Sequence, residues 1–182
     1  MTIKIIGIIV FFILFILISC HPFGLNKNST QLERAQQYAL THLGKSLDEI
    51  PLGQYPIRTK NTGKWELTSP STWTSGFYPG CLWLAYELSG DYSWIGYAQK
   101  YTEELKGQEF NRDSHDIGFM ILNSYGNGYK INHSEQYKQI ILQAANSLAT
   151  RYNEKVGCIQ SWNGPYQVII DNMMNLEILF WA

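Results

Sequence analysis

Charge of one sign, cysteine and long apolar runs are all scarce in this chain. Fourteen Lys+Arg stand against fifteen Asp+Glu, a net charge of -1. The basic excess that marks a nucleic-acid binder is missing, so no nucleic-acid partner is expected. Three cysteines, Cys20, Cys81 and Cys158, are too few for a disulfide framework. His42, His115 and His133 are scattered and show no zinc-ligand spacing with them, so no metal and no cofactor are expected. There is no nucleophile elbow and no phosphate-cradling glycine loop; Gly126-Asn127-Gly128 follows a helical pattern and reads as a turn. Hydrophobic residues make up 45% of the chain, which excludes a disordered tail. Six Trp, twelve Tyr and eight Phe can fill a core, and equally can line a groove that stacks flat, weakly charged ligands such as sugars.

The longest apolar run, Ile5 to Ile18, follows Lys4 and is fourteen residues long. As a helix it would reach about 21 Å, short of the ~30 Å hydrocarbon core. A positive start, a short apolar stretch and small residues at its end read as a secretory signal over residues 1–19. The ending Leu17-Ile18-Ser19-Cys20 resembles a bacterial lipobox. Cys20 would then be the lipidated N-terminus of the mature chain, residues 20–30 a polar tether, and the location the cell envelope, with the membrane as partner.

Apolar residues recur at three- and four-residue steps over Gln31–Leu43, Gly80–Leu88, Tyr92–Lys106, Asp116–Tyr125, Ser134–Tyr152 and Asn172–Trp181. Gly, Pro, Asn and Ser clusters separate them, at Pro51-Leu52-Gly53, Ser69-Pro70-Ser71 and Asn163-Gly164-Pro165. Only short stretches such as Gln167–Ile170 look strand-like. The expected class is all-α, built from helical hairpins. Cys81 lies in an apolar helical context and is expected to be a buried free thiol. The last block stops without a C-cap glycine or a basic last turn, which reads as a chain truncated within a larger fold.

Two aspartates stand where helix caps would stand: Asp116 before Ile117-Gly118-Phe119 and Asp171 before Asn172-Met173-Met174. Capping a backbone N–H is the ordinary use of such a residue. Apolar neighbours before Asp171 and the polar, aromatic loop Gln160-Ser161-Trp162-Asn163-Gly164 also suit a chemical role. If both carboxyls face one pocket, ionised Asp116 would hold a proton on Asp171, the division of labour of paired acids. Trp73-Thr74-Ser75-Gly76-Phe77-Tyr78-Pro79-Gly80 offers an aromatic wall beside exposed backbone, or a tryptophan that plugs the core.

In one order along the chain, Trp73–Gly80, His115-Asp116-Ile117-Gly118-Phe119, Gly157-Cys158-Ile159-Gln160-Ser161-Trp162 and Ile170-Asp171-Asn172-Met173-Met174-Asn175 resemble the unsaturated glucuronyl hydrolases of glycoside hydrolase family 88. The resemblance implies about half of an (α/α)6 toroid of six helical hairpins over residues 31–182. It implies hydration of the C4=C5 vinyl ether in unsaturated uronic acid-capped oligosaccharides left by polysaccharide lyases. Asp171 would be the acid/base and Asp116 its partner carboxylate. Trp73 and Trp162 would stack on sugar rings, and His115 would line the subsite. Unsaturated rhamnogalacturonyl hydrolases share the toroid and the chemistry. An inactive glycan-binding fragment is a further reading, and so is a helical scaffold, which would bury Trp73 and Trp162. No arginine falls in the matched blocks to receive a substrate carboxylate; Arg112 lies nearest.

Overall fold

The computed structural model describes residues 30–182. The signal, the lipobox and Cys20 lie outside the described residues. Contacts divide the chain between Ala39 and Leu40, inside the first helix.

That helix, α1 (Gln31–Ser46), opens on a reciprocal cap. The Glu33 N–H donates to Thr30 Oγ1 at 3.2 Å, and the Thr30 N–H donates to Glu33 Oε2 at 2.7 Å. Two orphan donors of the first turn are thereby satisfied.

From Leu40 onward helices dominate, as the periodicity predicts. They are α2 (Phe77–Ser89), α3 (Ser93–Glu103), α4 (Ile117–Ile121), α5 (Asn127–Asn132), α6 (Glu135–Ala149), α7 (Asn172–Asn175) and α8 (Glu177–Trp181). Helices α2 and α3 form a hairpin joined across Gly90–Tyr92, and α6 starts on Ser134, whose side chain accepts from the Tyr137 N–H. The expected block at Asn172–Trp181 is broken at Leu176 into two short helices.

Gly126-Asn127-Gly128 is not a turn. A π-helical turn, Leu122–Gly126, joins α4 to α5 in one unbroken helical run. The glycine at 128 serves packing: a Cβ there would come within 2.7 Å of Tyr137 Cε2 and 2.9 Å of Trp83 Cζ2. Composition marks such a glycine as punctuation, whereas the neighbours that need the space are far away in sequence. The strand expectation also changes. Residues 167–170 join no ladder, and two hairpins that the alternation did not reveal are present instead. They are β1 (Tyr55–Thr59) with β2 (Trp65–Thr68) and the two-residue pair β3 (Tyr152–Asn153) with β4 (Cys158–Ile159), both antiparallel.

One core joins the helices: Leu82 and Trp83 of α2, Ala98 and Tyr101 of α3, Ile117, Met120 and Ile121 of α4, and Ile141, Ala144 and Leu148 of α6. Three of its buried donors are paired between elements. The Trp83 indole N–H donates to Thr102 Oγ1 at 2.9 Å, Tyr55 Oη donates to the Tyr101 carbonyl at 2.8 Å, and Ser147 Oγ donates to the Glu109 carbonyl at 2.7 Å. Each of these buried donors would otherwise carry an unpaid desolvation cost. Cys81 is not buried. The face of α2 that packs inward carries Tyr78, Leu82, Trp83 and Ala85, which turns Cys81 outward with Leu84 and Leu88. Cys81 and Cys158 are both free and exposed.

Trp83 combines full burial with a satisfied indole. Trp83→Ala should therefore lower stability by about 3–5 kcal/mol. Thermal unfolding followed by circular dichroism would show this as a large fall in Tm.

Candidate active site

Two loops bring the chemistry together. Ser114 pairs with Trp162 in an isolated antiparallel bridge. The His115 N–H donates to the Ser161 carbonyl at 3.1 Å, which fixes the segment before α4 against the Gln160–Gly164 loop. That loop is closed in turn by the Ser161 N–H donating to the Gln167 carbonyl at 2.8 Å. The Ile169 N–H donates to Ser161 Oγ at 3.0 Å, and Asn172 Nδ2 donates to the Ile159 carbonyl at 2.7 Å. Asp171 is thus delivered to the N-terminus of α7, beside residues 56 positions earlier.

Asp116 and Asp171 occupy cap positions, but neither side chain caps its helix. Both turn toward His115, whose ring is fully buried. Its Nε2 lies 3.0 Å from Asp171 Oδ2 and 3.3 Å from Asp116 Oδ1. Its Nδ1 lies 2.7 Å from the Ser161 carbonyl oxygen. A carbonyl oxygen only accepts, so Nδ1 carries hydrogen. Nε2 then faces carboxylate oxygens, and the contact is attractive only when a proton lies between nitrogen and oxygen. One proton is therefore shared by the three side chains, on the imidazole or on a carboxyl.

Further contacts hold Asp116. Ser114 Oγ donates to its Oδ2 at 2.8 Å, and Asn175 Nδ2 reaches its Oδ1 at 3.4 Å. Asn175 is fully buried and also accepts the Phe119 N–H on Oδ1 at 2.8 Å. Asp171 is held only through Oδ2; its Oδ1 is buried without a partner, while the side chain as a whole is 31% exposed. These ligand atoms of His115, Asp116 and Asp171 all lie within 4.8 Å of one another, close enough to gather round a cation as well as a proton.

Arg151 braces the loops from behind. Its Nε donates to the Gln160 carbonyl at 2.9 Å, and its Nη1 donates to Asn163 Oδ1 at 3.2 Å and to the Arg112 carbonyl. Burial pushes the guanidinium below the usual arginine range, and the charges of Asp113 and Asp116 act in the opposite sense. Arg112 itself enters this arrangement through its backbone.

The aromatic residues separate into two groups. Trp162 meets the His115 ring edge to face, at 5.7 Å between centroids, and is 41% exposed. Trp73 is 48% exposed and packs on Phe77 and Phe119, with centroids 6.0 and 6.3 Å away. Phe119 lies one helical turn beyond Asp116, so this cluster adjoins the carboxylates through α4 rather than touching them. Exposure of both tryptophans goes against the scaffold reading.

The structure brings His115, Asp116, Asp171 and Trp162 together, and adds Asn175, Arg151 and Ser114, which the sequence did not single out. Asn175 had one legible signal: it lies four residues after Asp171, hence on the same helical face. Arg151 had none, because its partners come from two other segments, around Arg112 and in the Gln160–Gly164 loop.

Asn175 can sit where it does because Gly118 has no side chain. A Cβ at 118 would fall 2.6 Å from the Asn175 carbonyl oxygen and 2.7 Å from its Oδ1. Gly118→Ala should displace Asn175, release Asp116 and cost about 1–3 kcal/mol or more, because backbone must move. Chemical denaturation would measure the loss, and amide spectra should show it centred on α4 and α7.

No family model matches the chain. It is similar to an unsaturated glucuronyl hydrolase of Formosa agariphila, 41% identical over 145 residues, which cover 72% of this chain and 36% of that protein. It is also similar to an unsaturated chondroitin disaccharide hydrolase of Streptococcus agalactiae, 33% identical over 160 residues, covering 84% of this chain and 40% of the relative. Among solved structures, an unsaturated glucuronyl hydrolase specific for heparin aligns with a TM-score of 0.80 at 38% identity, over 83% of this chain and 42% of that one. The chain thus spans about two fifths of the length of these relatives, and its helices correspond to part of their (α/α)6 toroid. By these likenesses the chain belongs to the unsaturated glucuronyl hydrolase family.

Proposed function

We propose that this chain provides the acid/base side of an enzyme that hydrolyses unsaturated uronic acid-capped oligosaccharides released from glycosaminoglycans. The observation that supports this best is the pair of aspartates sharing one imidazole, beside an exposed tryptophan. The names of the relatives point to the same substrates, glucuronyl and chondroitin disaccharides with an unsaturated end.

The reaction needs a proton at C4 and a water at C5. In the reading favoured here, Asp171 gives its proton to C4 as the C4=C5 π pair forms the new C–H bond. Positive charge is then shared by C5 and the ring oxygen. Water attacks C5, and the emptied Asp171 carboxylate takes the proton that the water loses. The resulting hemiketal opens, and collapse at C1 releases the next sugar. No bond at the anomeric centre is displaced by a carboxylate, so the spacing rule for inverting and retaining glycosidases does not apply. Asp116, held by Ser114 and Asn175, stays in place as the fixed negative charge and as an acceptor for sugar hydroxyls. Trp162 offers a flat face for the sugar ring, and Trp73 with Phe77 and Phe119 extends the aromatic wall.

His115 lines no open surface, contrary to its expected place in the subsite. Its burial and its two carboxylate contacts make it the residue that positions the pair.

The conjugated C4=C5 bond absorbs in the near ultraviolet, and hydration erases that absorbance. The purified chain should bleach an unsaturated chondroitin disaccharide, and Asp171→Asn should reduce the rate by about 10²–10⁴-fold. Quenching of tryptophan fluorescence by the disaccharide should persist in that variant. Bleaching that survives Asp171→Asn would overturn the assignment.

The reading also places the protein in the bacterial cell envelope, anchored by lipid on Cys20, on the strength of the Leu17-Ile18-Ser19-Cys20 motif. In a bacterial host, labelled palmitate should enter the wild-type protein and not Cys20→Ala. The variant should also move from the membrane fraction to the soluble one.

A further inference from the structure

We propose that the gap bounded by His115 Nε2, Asp116 Oδ1 and Asp171 Oδ2 is also a binding site for a first-row divalent cation of the Zn²⁺ type, which takes the place of the shared proton. The separations suit an ion. Donors about 2.0–2.2 Å from one metal in a tetrahedral or octahedral arrangement stand roughly 2.9–3.5 Å apart. Here Nε2 lies 3.0 Å from Asp171 Oδ2 and 3.3 Å from Asp116 Oδ1.

The ring is also prepared for it. With its Nδ1–H committed to the Ser161 carbonyl, the neutral imidazole presents a lone pair at Nε2. Metal-bound histidines are commonly oriented by this kind of outer hydrogen bond. Ser114 and Asn175 hold the Asp116 carboxylate in the same manner. Asp171 Oδ1 is buried and has no partner, so it can supply a second oxygen to an ion seated on Oδ2. The partial exposure of Asp171 opens the site to solvent, leaving room for water to complete the coordination.

Charge favours a dication. Two carboxylates and a neutral imidazole carry two negative charges, of which one proton cancels half. On binding, the ion forms bonds to Nε2 and the two oxygens, the proton leaves to solvent, and no electron is transferred. Arg151 opposes the ion through its action on Asp116, while Asp113 lies near the same guanidinium and offsets part of it. Mixed imidazole and carboxylate donors suit Zn²⁺, Co²⁺ and Ni²⁺ over Mg²⁺ and Ca²⁺. The functional consequence rests on the acid/base reading above: an occupied site leaves Asp171 without a proton to give, so the ion inhibits. The binding itself does not depend on that reading.

Titration of the purified chain with Co²⁺, without substrate, separates the two. Expected is a visible d–d absorption that saturates at one ion per chain, is displaced by Zn²⁺, and persists in about hundredfold excess Mg²⁺. His115→Gln and Asp171→Asn should each weaken it by at least about tenfold, whereas His133→Asn should leave it unchanged. Circular dichroism checks each variant; if His115→Gln fails to fold, the partly exposed Asp171→Asn carries the test. Absence of the band at millimolar Co²⁺, or a band untouched by Asp171→Asn, would overturn the proposal.

Discussion

The hydrogen bonds of one imidazole organise this site. His115 is buried between two loops, and each ring nitrogen has a different obligation. Nδ1 gives its hydrogen to the Ser161 carbonyl, and that donation decides what Nε2 can offer to Asp116 and Asp171. With that hydrogen held on Nδ1, Nε2 attracts the carboxylates only through a further proton. If the Ser161 carbonyl shifted, the ring could carry its own hydrogen on Nε2 and donate it to a carboxylate without that extra proton. The paired aspartates are thus a consequence of how the 160–164 loop is held. That loop is held by Arg151 from behind and by Ser161 and Asn172 from within.

Close packing gives the arrangement its rigidity. Gly118 lets α7 approach α4 until Asn175 can bridge the Phe119 N–H and Asp116. Gly128 performs a similar service in the core, admitting the Trp83 and Tyr137 rings against the helix. In both places a methyl group would meet atoms at less than van der Waals distance. The positions of the charged groups therefore rest on steric constraints from residues with no charge. The aromatic wall follows the same logic: Phe119 leaves α4 one turn after Asp116 and carries Trp73 and Phe77 with it.

Much of this was legible in the chain itself. Helical periodicity gave the class and most element positions. The four motif blocks pointed to the family and contain His115, Asp116, Asp171 and Trp162, which the structure brings together, and Trp73, which adjoins them through α4. The misreadings have physical causes. Gly126-Asn127-Gly128 looked like a turn because glycine's usual role is to break helices, while its role here answers to ring atoms of other elements. Cys81 looked buried because apolar context does not say which side of a helix faces inward. The β1–β2 hairpin was missed because its strands are short and mixed in polarity.

The sequence by itself determined the helices, the two aspartates at helix starts and the aromatic loops, since these depend on local spacing and on residue type. Only the tertiary structure decided that both carboxylates leave their caps for one ring nitrogen, that Asn175 and Arg151 belong to the site, and that His115 is buried rather than lining a pocket. These outcomes depend on contacts between segments tens of residues apart. Such contacts are set by packing and by the satisfaction of buried polar groups, and neither has a local signature in the chain.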